Sequence, residues 1–286
     1  MYTARVENSR GELLTLTGDE PVYQLINIEG LNPPQAQINT TTIVGMDGTM
    51  YNSAKLDTRN IVLTVVINGE AEKNRLRLYS YFKTKEHCTF YFSNDSLDVS
   101  TEGYVESVEC NMFSDHLIAQ ISIICLFPYF QGLSQIVEDT SSAEALFTFP
   151  FSIEIDEPIP ISNYIEGEGA VVLNSGESDT GCEILITVDD AFDDLRIINT
   201  NTGEFFEVAY SFQAGDTIII NTSKGKKSIN LVRDGAISNI FPHMIQGSTF
   251  FQLAPGLNTF AVLIDGAEDD GTVEIVFRYY NLYRGV

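Results

Sequence analysis

Residues 61–69 read Ile-Val-Leu-Thr-Val-Val-Ile-Asn-Gly, and this stretch decides the fold class. All of its first seven residues except Leu63 are β-branched, stiff at χ1 and better suited to a pleated surface than to a helix. Asn68-Gly69 then supplies a pair that tolerates positive φ and so favours a tight turn. Outward from this strand the same grammar repeats. Thr89-Phe90-Tyr91-Phe92 stops at Ser93-Asn94-Asp95, and His116 to Leu126 is a longer candidate. In the second half, strands are expected over Glu183–Val188, Leu195–Asn199, Phe205–Tyr210, Asp216–Asn221, Ser228–Val232, Thr259–Ile264 and Val273–Tyr280. Asp234-Gly235, Asp265-Gly266 and Asp270-Gly271 sit where turns are wanted. Short strands at even spacing indicate an antiparallel sandwich or barrel, not alternating βαβ units. One helix is expected, over about 72–83, where Glu72-Lys73-Asn74-Arg75-Leu76-Arg77-Leu78-Tyr79-Ser80-Tyr81-Phe82-Lys83 starts on an acid and ends on a lysine. The class is all-β with a single α-helix.

The chain of 286 residues is long enough for about two domains. Its formal charge of −24 is unevenly spread: residues 1–130 carry nine basic and sixteen acidic side chains, residues 131–286 seven and twenty-four. No Lys or Arg occurs between Lys85 and Arg196. A boundary near residue 131 follows, with residues 1–130 as one β-sandwich, 131–146 as an exposed linker, and 147–286 as a second sandwich. Nucleic-acid binding needs a basic footprint that is absent here, and attraction to an anionic membrane is disfavoured for the same reason. The sequence from Met1 shows no signal-peptide pattern and no apolar run of 18 residues, so a soluble protein made in a cytoplasm is expected.

Chemistry-bearing patterns are sparse. Cys88, Cys110, Cys125 and Cys182 include no Cys-x-x-Cys pair, and with His87, His116 and His243 scattered they suggest reduced core thiols, not a zinc site. Asp189-Asp190-Ala191-Phe192-Asp193-Asp194 lacks the spaced ligands and glycine of a calcium loop and reads as a solvated turn, as does Glu268-Asp269-Asp270-Gly271. Gly225-Lys226-Lys227 lacks the spacing of a phosphate loop and reads as a basic turn tip. No catalytic residue, cofactor or metal is indicated. The rival function is a carbohydrate-binding sandwich on a structural spacer. It would stack sugars on exposed aromatics such as Tyr164, Tyr210, Phe212, Phe250 or Phe251, against the plainer reading that these fill the core.

A series of short motifs runs in order along the chain. In the first half they are Ile28-Glu29-Gly30-Leu31-Asn32-Pro33-Pro34, Gly45-Met46-Asp47-Gly48, Arg59-Asn60-Ile61, Asn74-Arg75, and Cys125-Leu126-Phe127-Pro128-Tyr129-Phe130. In the second they are Ala214-Gly215-Asp216-Thr217-Ile218, Lys226-Lys227-Ser228, Ser248-Thr249-Phe250-Phe251, Leu253-Ala254-Pro255-Gly256-Leu257-Asn258, and Arg278 through Val286. With these motifs in this order, the chain resembles the distal tail proteins of siphophages and prophages of Gram-positive bacteria. The resemblance implies a structural virion protein of the phage tail tip, made in the host bacterial cytoplasm and carrying no enzymatic site. It implies a homo-hexameric ring of first domains between the tail tube protein and the tail-tip protein. A galectin-like second domain would face outward and dock receptor-binding or baseplate proteins. Residues 35–44, turning at Asp47-Gly48, are Thr-rich and only half apolar, so they would bury a face poorly on their own domain. The expected inter-subunit hairpin therefore includes Ile38, Thr40, Thr42, Val44, Asp47 and Gly48.

Overall fold

The computed structural model describes residues 2–112, 116–139, 165–166, 170–265 and 273–286. The chain divides into two compact units, residues 1–133 with 282–286, and residues 134–281.

The first unit is built from β1 (Thr3–Asn8), β2 (Leu13–Leu16), β3 (Tyr23–Glu29), β4 (Ala36–Thr41), β5 (Met50–Leu56), β6 (Arg59–Ile67), α1 (Ala71–Tyr81), β7 (His87–Ser93), β8 (Asp98–Asn111), β9 (Leu117–Cys125) and β10 (Phe130–Gly132). One antiparallel sheet runs β2-β1-β7-β8-β9-β6-β3, with β10 added beside β8. Its end strands β2 and β3 are consecutive in sequence, and the Leu25 N–H donates to the Thr17 carbonyl (2.9 Å). The layers around this core therefore come from a single sheet bent on itself. The quoted 61–67 run lies in β6, central between β9 and β3, where Ile61, Leu63, Val65 and Ile67 point into the core with Phe90, Ile121 and Ile123. Asn68-Gly69 does turn, Gly69 taking φ +74°, but it leads into α1 and not back into a strand. The helix buries Leu78 and is followed by buried Phe82, while Arg77 stays in water.

The second unit contains β11 (Ile136–Asp139), β12 (Ile165–Glu166), β13 (Ala170–Asn174), β14 (Cys182–Val188), β15 (Phe192–Asn199), β16 (Phe205–Phe212), β17 (Thr217–Asn221), β18 (Ser228–Arg233), β19 (Ala236–Asn239), β20 (Gly256–Asp265) and β21 (Val273–Tyr279). Two sheets, β11-β21-β14-β17-β18-β19 and β12-β20-β15-β16 with β13 beside β20, enclose one core. Inward residues alternate along β14, β17 and β21. Phe277 from one sheet stacks on Phe260 of the other at 5.1 Å between centroids. Asp234 and Gly235, both at positive φ, make the turn between β18 and β19 that their pairing foretold.

Residues 131–146, read as a linker, begin with structure: Gln131 and Gly132 pair with β8, and Ile136–Asp139 pair with β21. The polar composition reflects half-exposed short strands, and residues 140–146 lie outside the described residues. The last strand, β22 (Leu282–Tyr283), pairs with β10, so residues 282–286 complete the first unit, not the second. The Glu268–Gly271 turn also lies outside the described residues.

Candidate functional site

The feature that stands apart is the β4–β5 hairpin. Among the described residues these strands pair only with each other, Ala36 opposite Leu56 through Thr41 opposite Met50, with a bulge at Asn39/Thr40. Local polar bonds hold the ladder: Asn39 Nδ2 donates to Ser53 Oγ (3.0 Å) and Asn52 Nδ2 to Thr41 Oγ1 (2.6 Å). Gly45 and Gly48 take positive φ at the tip, which a side chain would strain. Every residue of β4 is exposed, as are Thr42, Val44, Asp47 and Gly48. Ile38 is 63% exposed, Tyr51 63% and Val44 fully so, with Met46 and Met50 beside them. A lone two-stranded hairpin is marginal in water, and an exposed set of large apolar side chains marks an interaction surface.

The root of the hairpin is built very differently. Arg59, the first residue of β6, is 3% exposed. Its Nε donates to the Pro128 carbonyl (3.0 Å), Nη1 to the carbonyls of Asn32 (2.8 Å) and Gly30, and Nη2 to that of Arg284 (2.5 Å). The guanidinium lies 4.1 Å from the centre of the Phe130 ring. Burial pulls the Arg59 pKa below its ordinary value, yet four carbonyls hold the charge in place of an acid. Cys125, buried opposite Arg59 across β6–β9, has its thiol pushed up to about 11 by burial. Pro33 meets residue 285 here, and Tyr129 packs edge-on to Phe127.

The other motif residues serve local structure. Asn74 Nδ2 donates to the Asn68 carbonyl (2.8 Å), and Tyr23 Oη donates to the Asn74 carbonyl, tying α1 to β3. Arg75 pairs with Glu72 at 2.5 Å. In the second unit, Gly215 at φ +87° lets the chain turn so that Asp216 receives Arg233 (2.5 and 2.8 Å) and the Gln213 amide (2.8 Å). The Arg233 bonds, then the amide, hold the Asp216 carboxyl below its usual range. Asn258 closes the Ala254-Pro255-Gly256 turn by bonding Ala254 through both N–H (2.9 Å) and carbonyl (2.8 Å). The motif residues thus gather at one place, the hairpin root, and otherwise scatter. The sequence motif at the end of the chain includes Arg284 and Gly285, but it does not place them at the hairpin root, because a backbone acceptor leaves no side-chain signature.

Elsewhere among the described residues, no chemical machinery is assembled. A shallow cleft of about 400 Å³ is lined by Arg10, Glu12, Tyr23, Arg77 and Tyr81 among others. Tyr81 Oη lies 2.5 Å from the Val6 carbonyl and 2.6 Å from the Glu12 carbonyl, which share its one proton, and burial pushes its pKa up to about 12, so it stays protonated at neutral pH. Among the described residues no group of three or more His, Cys, Asp and Glu is placed to hold a metal ion. No helix among them is long and apolar enough to cross a membrane. The aromatics considered for sugar stacking are core residues: Phe212, Phe250 and Phe251 are buried and Tyr210 packs against them, while Tyr164 lies outside the described residues.

The first unit of this β-rich chain thus presents a free hairpin whose exposed apolar side chains mark a surface for association with other proteins. The profile of the phage tail protein RIFT-related domain matches residues 11–124, and that of the siphovirus-type tail component, C-terminal domain, matches residues 175–280. The chain belongs to the siphovirus distal tail protein family and is a structural component of a phage tail. The crystal structure of the Dit protein of phage SPP1, described as a paradigm of the hub of the adsorption apparatus in phages infecting Gram-positive bacteria, superposes with a TM-score of 0.70 over 99% of both chains at 14% identity. A chain of the phage P2 baseplate in its activated conformation with Ca matches at a TM-score of 0.50 over 98% of both chains at 10% identity. No individually curated protein matches it in sequence.

Proposed function

We propose that this protein is the distal tail hub: six copies close into a ring through their first units, joining the tail tube to the tail-tip protein. The second units dock receptor-binding or baseplate proteins. The role is architectural and the protein reaches the virion after synthesis in the host cytoplasm. The observation that carries the reading is the β4–β5 hairpin, whose apolar side chains Ile38, Met50 and Tyr51 have no partner layer within the first unit. A closed ring covers that surface in every copy at once, which an open chain of subunits does not. The hub role named for the SPP1 protein of matching fold supports the assignment.

Light scattering with negative-stain imaging of the purified chain tests it. A mass six times that of the 31.8 kDa chain, with an open centre, is expected. Deleting residues 37–55 should leave a folded monomer. A chain that stays monomeric even with its tail-tip protein present would sink the hub reading.

A further inference from the structure

Both legs of the hairpin meet Arg59. The incoming leg passes Gly30 and Asn32, whose carbonyls its guanidinium holds, and the outgoing leg ends at Arg59 itself. The fourth carbonyl comes from Arg284, in a segment that the chain reaches only after the whole second unit. That segment is anchored three times more. Phe130 and Gln131 pair with Tyr283 and Leu282, the Val286 N–H donates to the Leu31 carbonyl (3.1 Å), and Tyr283 and Val286 pack on the first core. Gly285 sits so close to the root that an added Cβ would fall 2.8 Å from Pro33 Cδ and 3.1 Å from the Leu31 oxygen.

We propose that residues 282–286 are a latch that fixes the root of the assembly hairpin, so that the first unit presents an ordered hairpin only once the chain has passed through the second unit. The physical basis is the buried guanidinium. A buried cation is tolerable only when its donors are satisfied. Without the latch, Nη2 loses the Arg284 carbonyl and the charge must draw in water or another acceptor, loosening the 30–33 loop. Arg59 is thus a positioning residue that reads whether the latch is closed. The step from root order to ring formation rests on the hub reading above.

The test uses full-length Gly285→Ala, which crowds the latch against Pro33 and the Leu31 carbonyl, and a second variant ending at Asn281. Hydrogen exchange is followed at Asn32, Asp57, Arg59 and Asn60, and ring content by light scattering. The latch predicts roughly tenfold faster exchange at these amides in both variants, a matching loss of rings, and restored protection when a peptide of residues 280–286 is added to the shortened chain. Unchanged exchange at the root in both variants overturns it, and so does a loosened root with undiminished ring content. If the unaltered chain forms no ring even with its tail-tip protein present, the hub reading fails and exchange alone decides the latch.

Discussion

The β17–β18 and β4–β5 hairpins are similar in length and both mix β-branched with polar residues, yet their fates differ. In β17–β18, Ile218, Ile220, Ile229 and Leu231 are all buried under the opposing sheet. In β4–β5, Ile38, Met50 and Tyr51 face water. A strand pair is stabilised mainly by the layer it covers, each buried large side chain adding about 1.5–3 kcal/mol. One hairpin draws that stabilisation from its own unit, and the other does not. In the ring we propose, the same local pattern serves folding in one unit and association in the other.

The largest expected effect lies on the self-sufficient side. Phe277 is fully buried and stacks on Phe260 between the two sheets. Phe277→Ala should cost about 3–5 kcal/mol in urea unfolding followed by circular dichroism. A loss below about 1 kcal/mol would mean that the second unit's sheets do not depend on this contact, and the contrast with β4–β5 would fade.

A middle-sized effect is expected at Asp216, beside the start of β17. Its side chain is 2% exposed and its partner Arg233 31%, so Asp216→Asn should cost about 1.5–3 kcal/mol, the range for hydrogen bonds to charged groups. The pH dependence follows from the same bonds. Arg233 and the Gln213 amide hold the folded carboxyl below its unfolded value of about 3.9. The unfolded chain then binds the proton more readily, so this stabilisation is complete above that value and is lost as pH falls through the lower, folded pKa. The Asn variant should show a shallower decline of stability below about pH 4 than the parent. An identical acid limb in urea titrations at several pH values would remove Asp216 from the account.

Where the sequence carries a periodic signal, it predicts the structure closely. The run from Ile61 to Ile67 sits inside β6, and the helix expected over about 72–83 spans Ala71–Tyr81. The free hairpin was also legible, because the Thr-rich stretch from Gln35 to Val44 offers too little apolar surface to be a core strand. Other features depend on distant backbone. Gln131 and Ile136 look like linker residues because their strands are short and half-exposed, and only β8, β21 and β22 make them regular. Adjacent Phe250 and Phe251 break strand alternation, yet both are buried in an irregular segment that crosses the core. Arg59 announces nothing by itself: its four acceptors are carbonyls from three separate stretches of chain.

The smallest stability effect gives the sharpest test of the comparison. Ile38 and Tyr51 lie on opposite strands of the β4–β5 hairpin and are each 63% exposed. Because neither covers a layer of its own unit, the double variant Ile38→Ser with Tyr51→Ser should change the stability of the isolated subunit by no more than about 0.5 kcal/mol, as other exposed positions do. In the ring we propose, the same two side chains would be buried by a neighbour, and the variant should lower ring content severalfold. Urea unfolding of the dilute monomer and light scattering of the concentrated protein separate the two readouts. A loss of 2 kcal/mol or more in the monomer would show that the hairpin already has a partner within its own chain. Unchanged stability with unchanged assembly would place the subunit contact elsewhere. Only a stable monomer that no longer assembles fits a hairpin whose second layer is another copy of the chain.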